Sequence, residues 1–350
     1  MAEVKIGERL VGDGHPPFIV VEAGINHNGD LETAFAMIRL AREAGADVVK
    51  FQTFKAEEFV ADHTLTYTYT SQGREITEPQ IDMFKRHEFS PAQWRAIRDH
   101  CAQEGITFLS TAQNPGDLEL LLDLGMEAIK VGSDDFTNLP LLRHYRATGL
   151  PLILSCGMAD MDEVRRSLSV VGAEAGHPTI LMLCTSLYPT PPEEVNMRKL
   201  TTLNAAFPTV VKGFSDHTQG PTAASLAVGF GAQAFEKHFT LDHGLPGPDH
   251  WFSEGPDGIG LWIDAIHVAH QMLGQAELRP SAAELDMRIT ARRSIVAIAD
   301  IAEGDRLGEG NIGLRRPGNG LPPAFLDEVL GRRARRPIAK GRLIARDDFA

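Results

Sequence analysis

His217 and His238 stand 21 positions apart, each at the end of an apolar run and inside a polar cluster, Ser215-Asp216-His217 and Glu236-Lys237-His238. That spacing is too long for one helix and suits the ends of two successive strands. Two imidazoles leave several positions open on a Mn²⁺- or Zn²⁺-like ion, which is what a Lewis-acid site requires. The alternative is a pair of hydrogen-bonded core histidines. The flanking acids, and Asp249 in Pro246-Gly247-Pro248-Asp249, favour the metal.

A second group could hold an anion. Lys50 and Lys130 lie inside otherwise apolar runs, VVKFQ and AIKVG. An ammonium buried there needs a partner. With Ser133, Ser155 and Ser215 the two lysines suit a phosphate and a carboxylate, the lysines as point charges and the hydroxyls as directed donors. Glu22, Asp135 and Asp249 are candidates for acid–base work or for contacts with sugar hydroxyls. Asp134 and Asp135 are adjacent, so one of them can instead cap the helix that follows. Ser155-Cys156-Gly157 lacks a GxSxG elbow, which argues against covalent serine chemistry, and Cys156 reads as core filler.

The elements that must position these groups are short apolar runs alternating with helical patterns. Strands are predicted at 18–23, 48–52, 106–111, 128–132, 152–155, 180–184, 210–213 and 234–238, and helices at 31–44, 91–104, 160–175, 193–206 and 221–230. Eight strand–helix repeats are the count of a (β/α)8 TIM barrel, an α/β fold. A doubly wound sheet is the runner-up, without a GxGxxG after the first strand to support it. Glu22, Lys50, Thr111, Lys130 with Ser133, Ser155, Tyr188, Ser215 with His217, and His238 all fall at or near strand C-terminal ends. In a barrel those ends face one cavity. The segment 55–89, polar and rich in Thr and Tyr, reads as one long loop, a lid, a binding loop or a subunit contact.

The 350 residues carry a formal charge of −13, which argues against a nucleic-acid partner. No run approaches the ~20 apolar residues of a membrane span. The first residues lack a signal-peptide pattern, and the three cysteines are widely spaced, so a reducing, cytoplasmic setting is expected. Residues 290–350 hold 12 Lys/Arg against 8 Asp/Glu, a local +4 that leaves −17 for the rest. There Ile301-Ala-Glu-Gly304-Asp-Arg-Leu307 is echoed 37 positions on by Ile338-Ala-Lys-Gly341-Arg-Leu343, the mark of a small pseudo-symmetric β-rich domain. The organisation expected is a barrel over 1–278, a linker over 279–289 and the small domain over 290–350.

Taken in order, EAGINHNGD (22–30), VVKFQTF (48–54), IKVGSDD (129–135), LILSCGM (152–158), YPTP (188–191), GFSDHT (213–218), EKHFT (236–240), LPGPDH (245–250) and RRPGNG (315–320) closely resemble the sialic acid synthase family. The resemblance runs along nearly the whole chain. It implies a (β/α)8 barrel joined to an antifreeze-like (SAF) domain, in a domain-swapped homodimer where that domain covers the partner's site. It also implies condensation of phosphoenolpyruvate with the open-chain aldehyde of an N-acylated mannosamine-type amino sugar, aided by Mn²⁺ or Mg²⁺. On this resemblance His217 and His238 bind the metal, and Lys50, Lys130, Ser133, Ser155 and Ser215 hold phosphoenolpyruvate. Tyr188 joins the substrate-binding set, and Glu22 sits beside the reacting carbons with Asp135 a further catalytic candidate. Asp249 binds sugar hydroxyls, and Arg316 reaches the sugar's acyl group across the dimer.

Two departures bear on the sugar. The family's GSGE is here Gly132-Ser133-Asp134-Asp135, one methylene shorter at Asp135. Its CTNxYP is here Cys184-Thr185-Ser186-Leu187-Tyr188-Pro189, with a hydroxyl for an amide. N-acetylmannosamine, its 6-phosphate and a 2,4-diacetamido-trideoxy hexose, the precursor of legionaminate or of a spore-coat polysaccharide, all fit the motifs. A pyruvate-dependent aldolase, with a metal or with a Schiff base on Lys130, is the rival reaction. A non-catalytic sugar-binding protein is the rival of another class.

Overall fold

The computed structural model describes residues 2–350. All eight predicted strands form: β1 Phe18–Gly24, β2 Val48–Thr53, β3 Thr107–Ala112, β4 Ile129–Val131, β5 Leu152–Ser155, β6 Thr179–Cys184, β7 Val211–Asp216 and β8 Ala234–His238. They pair in chain order, all parallel, and close into a barrel. β7 runs three residues beyond its apolar stretch, because Ser215 and Asp216 still pair with Glu236 and Lys237 of β8. Polar residues at a strand end conceal its length from a reading based on hydropathy.

The helices follow their punctuation. Pro91–Glu104 starts on a Ser90–Gln93 capping box and stops at Gly105, whose φ of 70° only glycine adopts cheaply. The helix expected over 193–206 is two, Pro192–Val195 and Lys199–Ala206, parted by left-handed Asn196. Helices Pro115–Asp123, Leu139–Ala147 and Pro256–Leu273 complete the outer layer. A hairpin before the barrel, Glu3–Ile6 with Arg9–Gly12, places Val4, Ile6 and Val11 in the barrel's core.

The segment 55–89 is not an irregular loop. It folds as a short helix (Ala56–Phe59), a hairpin (Thr66–Ser71 with Arg74–Pro79) and a second helix (Gln80–Lys85). Gln72 and Gly73 link the hairpin strands with φ of 51° and 71°, the paired positive angles of a type I′ turn. Thr and Tyr alternate strictly along Thr66–Ser71, so Tyr67 and Tyr69 share one face, stacked at 5.8 Å, but most of the hairpin's side chains stay exposed and no apolar run marks the strands.

Contacts divide the chain into Met1–Gly274 and Gln275–Ala350. Each has its own core: one extends from Val4 to Ile266, the other from Ile295 to Ile344. The stretch read as a linker carries a helix, Ala282–Ala291, capped by Ser281 and with no buried side chain. In the second unit Ser294–Ala297 pairs antiparallel with Ile312–Arg315. The echoed segments meet there: Ile301 and Ile338 exchange both backbone hydrogen bonds, at 2.9 Å each. The matching glycines, Gly304 and Gly341, share a left-handed φ of 83° and 88°. No helix among the described residues is long and apolar enough to cross a membrane.

Candidate active site

Alternation along the barrel strands decides which side chains face inward. On β7 and β8, Ser215, Glu236 and His238 line the cavity, and His217 joins them just past β7. Asp216 and Lys237 point the other way. Asp216 Oδ2 accepts from Trp262 Nε1 at 2.9 Å and pairs with Lys237 at 3.1 Å, tying two strands to helix Pro256–Leu273. Of the polar clusters that favoured a metal, these two residues therefore serve the scaffold.

Register brings the inward residues together: His238 lies beside Glu22, and Glu22 beside Lys50, on adjacent strands. Lys50 Nζ is 2.8 Å from Glu22 Oε2 and donates to Thr111 Oγ1 at 3.1 Å. Lys130 Nζ donates to Ser155 Oγ at 2.8 Å. Between the lysines stands Glu236, 3.3 Å from Lys130 and 3.8 Å from Lys50, and it also accepts from Ser215 at 3.1 Å. Each buried ammonium thus has the partner its burial requires.

The two carboxyls are pushed apart in acidity. Burial raises Glu22, and a single lysine offsets only part of that. Burial acts against the Glu236 anion too, but Lys130, Lys50 and His238 together outweigh it and hold Glu236 at about 2. Such a separation marks one carboxyl as the fixed counter-charge and the other as the group able to carry a proton.

His217 and His238 face each other, ring centroids 5.5 Å apart, with Tyr188 over His217 at 4.2 Å. His217 Nδ1 is 2.8 Å from the Thr185 carbonyl, to which it donates; burial acts against the charged ring, but Cys184 and this carbonyl outweigh it and raise the pKa of His217. Burial, with the charges of His217 and Lys50, keeps His238 neutral, well below the usual imidazole range. Its Nδ1 is buried without a hydrogen-bond partner, 3.9 Å from Asp249 Oδ2. Burial and the nearby Glu22 charge push Asp249 up to about 7. The turn that presents Asp249 needs Gly247, whose φ is 145° and where a Cβ would meet the His250 ring at 2.8 Å.

These groups line one cavity of about 460 Å³, together with Ser133, Asp134, Ser186, Phe252 and, from the 55–89 segment, Tyr67, Gln80, Met83 and Phe84. Ser133 Oγ accepts from Gly157 N at 3.0 Å, and Ser186 Oγ is buried without a partner. Asp135 is a correction. Its carboxylate accepts from Asn138 at 2.9 Å in the turn leading to the next helix, and Asp134 lines the cavity in its place. Arg316 is exposed on the second unit, just after strand Ile312–Arg315. Glu236 was not singled out in the sequence, although its position two residues before His238 on one strand was the available signal. Gln52, which donates to Glu22 at 2.9 Å, was missed for the same reason, two residues after Lys50. Among the described residues no three His, Cys, Asp or Glu side chains cluster as a complete metal cage.

Residues 37–278 match the NeuB family and residues 292–350 the SAF domain. The chain is 38% identical to the N,N'-diacetyllegionaminic acid synthase of Legionella pneumophila, over 93% of this chain and 92% of that protein. It is 33% identical to the N-acetylneuraminate-9-phosphate synthase of Homo sapiens, over 93% of this chain and 90% of that one. The crystal structure of an N-acetylneuraminic acid synthetase from Leptospira borgpetersenii superposes with a TM-score of 0.73 at 30% identity, covering 81% of this chain and 94% of that one. With a closed parallel barrel, its strand-end site and a separate small β-rich unit in place, the chain belongs to the NeuB family of sialic acid synthases.

Proposed function

We propose that the protein is a nonulosonic acid synthase that condenses phosphoenolpyruvate with the open-chain aldehyde of an N-acylated mannosamine-type sugar. The observation that carries this reading is the cavity floor, where paired Lys50 and Lys130 adjoin serine hydroxyls and share the cavity with His217 and His238. The names of the relatives, synthases of N,N'-diacetyllegionaminic acid and of N-acetylneuraminate 9-phosphate, support the product class.

Lys50, Lys130, Ser133, Ser155 and Ser215 hold the phosphate and carboxylate of phosphoenolpyruvate, exchanging part of their internal pairing for charge-assisted bonds to the ligand. Ser186, with its unpartnered hydroxyl, adds a donor. His217 and His238 fit a divalent cation such as Mn²⁺ or Mg²⁺, since each presents an imidazole to the cavity and together they leave the remaining positions to substrate and water. When bound, that ion polarises the aldehyde carbonyl and stabilises the developing alkoxide. The methylene carbon of phosphoenolpyruvate forms the new C–C bond to the aldehyde carbon. Water adds to C2, and the C2–O bond to phosphate breaks, giving a 2-keto acid and inorganic phosphate. Glu22, whose burial favours holding a proton, takes the proton from that water and returns one as phosphate leaves. Asp249 orients sugar hydroxyls, with Tyr188 beside it. The domain-swapped homodimer, with Arg316 entering the partner's site, belongs to the same proposal.

Phosphoenolpyruvate labelled with ¹⁸O at the bridging position tests it. The label appears in inorganic phosphate, and only when aldose and divalent metal are both present. Turnover of pyruvate without phosphate release would instead establish an aldolase.

A further inference from the structure

The buried lysines divide by what they pair with. Among the described residues there are four, Lys50, Lys130, Lys212 and Lys237. Three have a carboxylate: Glu22 lies 2.8 Å from Lys50, Glu236 3.3 Å from Lys130 and Asp216 3.1 Å from Lys237. Lys212, only 4% exposed, forms no ion pair among the described residues. Its Nζ donates instead to two backbone carbonyls, those of Phe207 and Val210, at 2.6 Å each. Both carbonyls belong to the turn between helix Lys199–Ala206 and β7.

Lys212 is the second residue of β7, at the opposite end of that strand from Ser215. It lines a separate cavity of about 250 Å³ with Gly12, Asp13, Asn204, Val210 and Gln233. Asp13, exposed just past the hairpin that precedes the barrel, is the only other titratable side chain among the described lining residues. An ammonium has three protons to place, and here it finds two carbonyls and no counter-charge. Burial therefore favours the uncharged form and draws Lys212 down to about 8, with the Asp13 charge acting the other way. A neutral amine suits this site. Its two protons satisfy the two carbonyls, and its lone pair takes a remaining tetrahedral direction. A lysine desolvated in this way is an activated nucleophile.

We propose that Lys212 is a reactive amine that takes an acyl group from small activated acyl compounds, at a site separate from the catalytic cavity. The lone pair attacks the acyl carbonyl carbon and forms the C–N bond. The bond from that carbon to the leaving carboxylate or phosphate oxygen breaks, and one amine proton passes to water. The amide product is uncharged, which suits burial beside Val210 and Val211. It keeps one N–H for one of the two carbonyls and gives up the other.

Trace labelling of the folded full chain with acetic anhydride, read by peptide mass spectrometry, tests the assignment. Lys199 and Lys340, both exposed, serve as internal references. At pH 7 an amine titrating near 8 is about 10% neutral, against about 0.03% for one at the ordinary 10.5. Confinement and lower basicity take back part of that difference. Lys212 is expected to label about tenfold faster than either reference at pH 7, and its rate levels off by about pH 9 while theirs still rises. Asp13→Asn, at an exposed position, removes the charge that favours the ammonium and raises the pH 7 rate at Lys212 alone. A pH 7 rate at Lys212 no greater than at Lys199 and Lys340 overturns the proposal, as does a rate that climbs in parallel with theirs. Labelling of Lys212 only in denaturant would mean that the cavity does not admit the reagent, and overturns it too.

Discussion

Lys130 Nζ lies 3.3 Å from Glu236 Oε1, and through its other oxygen the same carboxylate reaches Lys50 at 3.8 Å. One buried acid thereby sets the spacing of two buried cations that come from strands on opposite sides of Thr111. Removing its charge leaves Lys130 without a carboxylate. Glu236→Gln is expected to lower kcat/KM for phosphate release about a hundredfold, about 2.7 kcal/mol of transition-state stabilisation. It is also expected to lower stability by about 3 kcal/mol, the usual cost of breaking a buried pair. Steady-state kinetics and denaturant unfolding measure the two effects, and unchanged values for both would remove Glu236 from the site.

The histidine pair makes a separable prediction. Neither His217 nor His238 is needed to close the barrel, whose strands are held by their own ladder and apolar core. His217→Ala and His238→Ala should each abolish metal-stimulated turnover and weaken Mn²⁺ binding in calorimetry, while the circular dichroism spectrum is retained. Survival of both affinity and rate would place the metal elsewhere.

Lys237 is expected to behave in the opposite way. It pairs with Asp216, lies over the Trp262 ring at 5.9 Å and donates to the Thr218 carbonyl, all behind the cavity wall. Lys237→Met strands the buried Asp216 carboxylate and should cost about 3 kcal/mol in thermal or denaturant unfolding. The KM for phosphoenolpyruvate should hardly move in the protein that remains folded. A large rise in KM with unchanged stability would mean that Lys237 contacts substrate.

Acid should destabilise the protein through His27. This residue is fully buried and stacked on Phe89 at 4.3 Å, and burial, then His87 and His250, depress its pKa to about 3. With a folded pKa below the unfolded one of about 6.5, its contribution is intact above pH 6.5 and is lost as pH falls toward 3. At pH 5 the loss is about 2 kcal/mol. Melting temperatures across pH 5–8 measure it, and His27→Phe should flatten the acid limb. An equal slope in the variant would exclude His27 as its source.

The cores of the two units are separate, so ending the chain after Leu278 removes no side chain from the barrel's core. The truncated protein is expected to fold and to lose turnover, because the acyl group would have no Arg316. Full activity after truncation would rule out a role for the second unit.

What the sequence determined by itself was the alternation. Eight apolar runs with capped helices between them leave few architectures other than a barrel, and strand-end polar residues then share one rim. Strand ends at Glu22, Lys50, Lys130, Ser155, Ser215 and His238 were legible because a charged or hydroxyl side chain at the end of an apolar run has few structural reasons to be there. The echo of residues 301–307 at 338–343 announced the symmetry of the second unit. What only the tertiary structure decided was facing and register. Of the charged residues flanking the two histidines, Glu236 points in while Asp216 and Lys237 point out, and Asp134 takes the place expected of Asp135. A one-residue difference reverses the face of a strand, and the partner across the ladder is set by a residue some twenty or more positions away. The apolar wall of Met83 and Phe84 was concealed for a related reason. Both belong to a helix of only six residues, Gln80–Lys85, too short to show a period, and they face the cavity only once Phe84 has packed on Phe54 and Phe59.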